Sequence, residues 1–175
     1  QVSCGAVYSD TKEVIEFDVG ARLQVLLEVI EEASHKVLVF IPFTHALLGV
    51  QEFLNKHGVT NEIINGAVSV GKRTEIFKQF QEADNPRVLL IQPQAAAHGV
   101  TLTAANVIVW YAPVTSSEIY LQANARIDRP GQRNPMTIVH LQGSPVESKL
   151  YKMLESNLDL HTKIVDLYKN ELEDS

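Results

Sequence analysis

The segment YLQANARIDRPGQ, residues 120–132, places Gln122, Arg126 and Arg129 at i, i+4 and i+7. On a continuous helix this spacing gathers an amide and two guanidinium groups on one stripe, while Ile119, Ala123 and Ile127 form a separate packing face. Guanidinium groups stay charged at any working pH and offer N–H forks that match phosphate oxygens, so paired arginines suit the clamping of a phosphoryl group. The same spacing also fits two arginines that complement a helix C-terminus or pair with an acidic neighbour such as Asp128. Spacing alone leaves both readings open.

A second candidate for phosphate chemistry is NGAVSVGKRTEIFKQF, residues 65–80, in which Gly66, Gly71 and Lys72 imitate the phosphate loop G-x-x-x-x-G-K-[ST]. Arg73 stands where the magnesium-binding hydroxyl belongs, and Thr74 comes one place late. If Ser69 instead caps a helix, Arg73, Ile76, Phe77 and Phe80 share one face, and Gly71 and Lys72 fall inside its first turn. That leaves no run of free backbone N–H groups to cradle a phosphate. The strand-like runs 87–92 and 106–112 also lack a terminal Asp for a magnesium partner. An amphipathic helix with a solvated Lys72 is therefore the reading adopted. The third candidate is the loop PQAAAHGVTLTAAN, residues 93–106, whose small residues and Gly99 follow a buried strand and bring the hydroxyls of Thr101 and Thr103. Open α/β sheets place ligands at such strand ends, although a plain connection with a glycine turn has the same composition.

The elements that must position these residues alternate between apolar bursts and helical periods, the pattern of an α/β fold with a mainly parallel sheet. Leu23, Leu26, Leu27 and Ile30 mark a helix ending near residues 31–36, before the strand 36–42, which Pro42 closes. Thr44 is expected to cap a helix carrying Leu47, Val50 and Leu54, with Gly58 as its stop and a strand at 61–64 beyond. RVLLIQ (87–92), NVIVWYA (106–112) and MTIVHLQ (136–142) read as strands buried on both faces. A helix is expected over 117–127, stopped by Pro130-Gly131. Ser144 and Glu147, with Pro145 at the first helical position, form a capping box for the last helix.

The bulk properties limit the alternatives. The 175 residues, 45% hydrophobic and 21% charged, suit one globular domain with a real core. A net charge of −6 gives no general attraction for nucleic acid or an anionic membrane, so such a contact must be a local patch. Cys4 is the single cysteine, which rules out an internal disulfide framework, and His35, His45, His57, His98, His140 and His161 show no metal-ligand spacing. No apolar run approaches a membrane span, and no signal-peptide pattern opens the chain, so a cytoplasmic protein without a membrane partner is expected. The first residue is Gln1 rather than Met, and the sequence is expected to be a piece of a longer protein.

Taken together, these stretches resemble the second RecA-like lobe of Swi/Snf-type superfamily-two helicase-like ATPases, particularly short phage and prophage versions. KVLVFIPFTHALLGVQEFL is similar to the family's fourth motif and the helix after it, INGAVSVGKRTEIFKQFQ to its glycine, capped-helix, arginine and phenylalanine pattern, QPQAAAHGVTLTAANVIVWYAPV to motif five, and QANARIDRPGQ to motif six. The chain departs from the family pattern in having Asp128 where a histidine is common, and in lacking the usual Asp and Trp-Asn-Pro between Asn106 and Val114. The resemblance implies a RecA-like αβα lobe at residues 20–155, with an N-terminal lead-in at 1–19 and a C-terminal helical extension at 156–175.

The resemblance further implies that Arg126 and Arg129 reach the phosphates of ATP bound by another lobe, with Arg129 as the arginine finger and Gln122 and Gln132 ordering that surface. It places Gly99 and Thr101 between the nucleotide cleft and the DNA backbone, Phe43 and Thr44 beside the nucleic-acid track, and Arg73 at the base of its helix or on the DNA side. ATP and Mg2+ would be bound chiefly by the first lobe of the same polypeptide, the nucleic acid would be DNA in duplex form, and the location would be cytoplasmic or nucleoid-associated. Such a chain is incomplete as an enzyme by itself. Two rivals stand beside this reading: a self-contained nucleotide- or phosphate-binding α/β domain, and a non-catalytic interaction module that uses the C-terminal helix.

Overall fold

A computed structural model of the chain describes residues 12–96 and 100–156. Among these, β1 (Lys36–Phe40), β2 (Asn61–Ile64), β3 (Val88–Ile91), β4 (Ala105–Trp110) and β5 (Thr137–His140) form one sheet in the order β2-β3-β1-β4-β5. Every pairing is parallel: Val37 lies opposite Val88 on one side and Val107 on the other, and Val107 lies opposite Thr137. The helices are α1 (Lys12–Glu32), α2 (Thr44–Lys56), α3 (Val70–Glu82), α4 (Ser117–Asn124) and α5, residues 145–156.

The two-residue period of the strands divides the core into two layers. Val37, Val39 and Ile41 point toward Leu26 and Ile30 of α1 and Leu47 and Leu54 of α2. Leu38 and Phe40 point the other way, toward Ile76 and Phe80 of α3, Tyr120 of α4 and Tyr151 of α5. The result is the three-layer αβα arrangement that a parallel sheet requires, because both of its faces must be covered.

Local signals are met at several points. Ser69 caps α3, its hydroxyl accepting from Lys72 N–H at 3.3 Å, so the Gly-Lys pair lies in a helical turn. Gly58 follows α2 with φ +70°, while Val59 N–H donates to Leu54 C=O at 3.0 Å. Three expectations are corrected. Thr44 does not cap α2: Phe43 holds the cap position without a side-chain bond, and Thr44 is the first helical residue. β5 is not buried on both faces, because it is an edge strand with Thr137 and Ile138 exposed. Finally, α4 ends at Asn124 rather than near 127. There Arg126 N–H donates to Ala123 C=O at 3.2 Å, a tightened last turn, and its carbonyl accepts from Leu102 N–H at 2.9 Å. This long-range bond turns the backbone out of the helical path.

Candidate functional site

Because the strands are parallel, the loops after them open at one end of the sheet. Phe43 and Thr44 follow β1 there, and the Gln92 amide, just past β3, reaches the Thr44 hydroxyl at 3.5 Å. Arg73 sits in the first turn of α3. Its Nη2 donates to Asn65 C=O and Val68 C=O, each at 3.2 Å, so its charge is spent on the loop that enters its own helix. Its Nε is buried without a hydrogen-bond partner among the described residues. This geometry makes Arg73 an anchor of the 65–68 turn.

The arginine pair stands elsewhere. Since α4 must run back from the carboxyl end of β4 to feed β5, Arg126 and Arg129 arrive beside the amino end of β4. Gln132 Nε2 marks the place, donating to Ala105 C=O and Ile127 C=O, both at 2.9 Å. Arg126 is 5% exposed. Its Nε donates to Gln122 C=O at 2.7 Å and its Nη1 to Val100 C=O at 3.5 Å. Together with the Leu102–Arg126 backbone bond, this clamps the segment carrying Thr101 onto the arginine turn. Gly99 lies outside the described residues.

Arg129 is half-buried, and its Nε donates to Ala125 C=O at 3.2 Å. Among the described residues, neither guanidinium has a carboxylate within ion-pair distance. Asp128 is therefore not the partner that spacing allowed. Burial, and after it the charge of Arg129, lower the Arg126 pKa, so the two cations are close enough to repel. Gln122 turns along its own helix, its amide donating to Glu118 at 3.3 Å. The stripe expected from helical spacing is thus broken after Asn124, yet Arg126 and Arg129 remain neighbours. What the turn offers is concentrated positive charge suited to a phosphate. Among the described residues, no three His, Cys, Asp or Glu side chains are grouped to hold a metal ion.

The family model described as the helicase conserved C-terminal domain matches residues 21–131, which include this turn. The chain belongs to the helicase C-terminal domain family. A Danio rerio relative named chromodomain-helicase-DNA-binding protein 1-like is 29% identical over 145 residues, covering 82% of this chain and 14% of the relative. A Caenorhabditis elegans relative, the SWI/SNF-related matrix-associated actin-dependent regulator of chromatin subfamily A containing DEAD/H box 1 homolog, is 28% identical over 154 residues, 87% of this chain and 16% of its own length. The chain therefore spans 14% and 16% of these curated relatives. Among solved structures, the C-terminal part of the Fun30 ATPase domain superposes with a TM-score of 0.69 at 22% identity, covering 78% of this chain and 44% of that one. The αβα sandwich is thus that of a RecA-like helicase C-terminal lobe, and its relatives are Swi/Snf-type helicases.

Within this helicase lobe, two polar features escaped sequence reasoning. Arg22 of α1 makes a bidentate ion pair with Glu147 of α5, at 2.6 and 2.9 Å, and donates to Tyr111 C=O at 2.6 Å. The sequence pattern marks Glu147 only as a capping residue. Its N–H does donate to the Ser144 hydroxyl at 3.2 Å, but its carboxylate accepts from Gly143 N–H rather than from Ser144. The second feature is His140, which lies against Tyr120 and Glu155. No local pattern announces either contact. Among the described residues, no helix is long and apolar enough to cross a membrane.

Proposed function

We propose that this lobe is the second half of an ATP-dependent DNA translocase. Arg129 acts as the arginine finger and Arg126 as a fixed positive charge beside it, both directed at the phosphates of a nucleotide held by a first lobe. The observation that carries this reading is the pair of neighbouring guanidinium groups that have no carboxylate partner among the described residues, in a turn that the family model matches. An approaching phosphate relieves their mutual repulsion and takes bidentate N–H bonds. Arg126 is already fastened by Gln122 and Val100, so little ordering is needed when the anion arrives.

ATP and Mg2+ are bound mainly by the first lobe, and Mg2+ supplies neutralisation of the phosphate charge there. Gln132 holds the arginine turn against β4, and the Val100–Arg126–Leu102 clamp passes movement of the Thr101 segment to the arginines. Thr101, Phe43 and Thr44 belong to the DNA track on this reading, and Gly99 to the link between cleft and track. Arg73 acts there indirectly, by holding the 65–68 turn. With a net charge of −6, the DNA contact is local, and DNA binding by the isolated lobe is weak.

The test uses the polypeptide that joins this lobe to its first lobe. Arg129→Ala is expected to lower DNA-stimulated ATP turnover by about 10³-fold or more while ATP binding persists. A loss of less than about tenfold would remove Arg129 from the finger role.

A further inference from the structure

Residues 100–104 precede β4 and belong to no helix or strand, so their backbone groups must find partners on neighbouring elements. On one side they meet the arginine turn: Arg126 Nη1 donates to Val100 C=O at 3.5 Å, and Leu102 N–H donates to Arg126 C=O at 2.9 Å. On the other they meet Gln81, in the last turn of α3. Its Oε1 accepts from Ala104 N–H at 2.7 Å, and its Nε2 donates to Thr103 Oγ1 at 3.2 Å. A backbone N–H can only donate, so the atom facing Ala104 must be the amide oxygen, and the Gln81 amide has one orientation.

Gln81 stands on a pinned turn. The preceding residue, Phe80, is fully buried, and Lys36 at the start of β1 donates from Nζ to Phe80 C=O at 2.5 Å and to Ala83 C=O. The same ammonium lies 4.8 Å from the centroid of the Phe80 ring. The carboxyl end of α3 is thereby tied to the central strand of the sheet. From Gln81 the path to the arginines has no gap: a hydrogen bond to Ala104, the covalent chain through Thr103 to Leu102, and the Leu102–Arg126 backbone bond. Ala105 N–H donates to Leu102 C=O at 3.2 Å, which fixes the spacing of this turn. Gln132 closes the circuit by joining Ala105 C=O to Ile127 C=O.

We propose that Gln81 is a positioning residue for Arg126 and Arg129. Its role in turnover rests on the function proposed above, while the hydrogen-bonded path does not. Both the carbonyl and the guanidinium of Arg126 are bonded to residues 100–102, so Arg126 is placed only as well as that segment is. Without Gln81, Ala104 N–H loses its acceptor, and the segment stays fastened to the arginine turn while its tie to α3 is gone. Arg129 follows, because its Nε is held by Ala125 C=O in the same turn. A misplacement of about 1 Å at a phosphate-directed group costs about 10²-fold in rate. Binding of ATP, carried chiefly by the first lobe, is untouched by such a shift.

The test uses the polypeptide that joins this lobe to its first lobe. Gln81 is only part-buried, so the helix can carry Gln81→Leu, which accepts no N–H bond. Gln81→Glu still accepts from Ala104 N–H, and the Thr103 hydroxyl can turn to donate to the second carboxylate oxygen. Gln81→Leu is expected to lower kcat for DNA-stimulated ATP turnover by about 10- to 100-fold, with the ATP KM within about twofold of wild type. It is also expected to speed amide hydrogen exchange at Leu102 as well as at Ala104, and Gln81→Glu is expected to restore both readouts. Faster exchange at Ala104 with Leu102 still protected would overturn the coupling, and so would a Gln81→Glu protein as slow as Gln81→Leu. Unchanged turnover in Gln81→Leu beside a large loss in Arg129→Ala would overturn the positioning role and leave the finger standing. Unchanged turnover in both would overturn the finger and the positioning role with it, while exchange at Leu102 reports the path independently.

Discussion

Replacing Arg22 with Met tests how far the lobe depends on a single buried ion pair. Arg22 is 5% exposed and Glu147 1% exposed, and the two meet through bonds of 2.6 and 2.9 Å. Met keeps much of the stem volume but leaves the buried Glu147 carboxylate without its cation, with Gly143 N–H still donating to it. Breaking a buried pair from one side costs about 3–5 kcal/mol, because the remaining charge is uncompensated. For a domain of this size the melting temperature should fall by roughly 6–20 °C. Reversible urea unfolding is the assay, since the midpoint reports the loss while an unchanged slope shows that the two-state description still applies. The double variant Arg22→Met/Glu147→Leu removes both charges and should recover at least half of the loss, the remainder reflecting the orphaned Gly143 and Tyr111 backbone groups. A single-variant loss below about 1 kcal/mol, or a double variant less stable than the single, would refute the reasoning.

Three further outcomes follow from the same structure. Arg73→Ala should destabilise the lobe by about 1.5–3 kcal/mol in urea unfolding, through loss of the charged bonds to Asn65 and Val68; Arg73→Lys should retain only part of that, and equal stability of all three proteins would show the anchor to be idle. Gly58→Ala forces a side chain into φ +70° and should cost about 1–2 kcal/mol despite open space around it, read from the melting temperature. The folded state lowers the His140 pKa below 6.5, so between the folded value and 6.5 the unfolded chain binds more protons and stability rises with pH. The contribution is at most about 1.4 kcal/mol per pH unit, and the difference between wild type and His140→Gln should show that slope below neutrality and none above it.

What the sequence disclosed is what neighbouring residues decide among themselves. Ser69, three residues before Lys72 N–H, and Gly58, at a helix end, act within one turn, so their roles were legible. The unbroken runs of β3 and β4 carry their burial in their composition. β5 carries Ile138 and Val139 between Thr137 and His140 and lies at the sheet edge, and edge position depends on strand order rather than on residues 137–140. The premature end of α4 has the same origin: helical spacing continues to Ile127, but Leu102 takes the Arg126 carbonyl from a distant loop. At the candidate site the residue types were legible and their surroundings were not. The partners of Arg126 include Val100, and Arg22 finds Glu147 at a separation of 125 residues. Such pairs leave no periodic trace, because charge and hydrogen-bond capacity do not specify a partner at a distance.

The strand order has a consequence for how the lobe comes into being. β1, the first of the described strands, occupies the middle of the sheet, and its neighbours are β3 and β4 rather than the next strand, β2. Among the described strands no hairpin can form early, since each of their pairings waits for a crossover. As the chain leaves the ribosome, Val37, Leu38, Val39 and Phe40 emerge long before Val107 to Trp110 supply their second side. During that interval an apolar strand with an open edge depends on α1 and α2 for cover, the exposure that chaperones exist to shield.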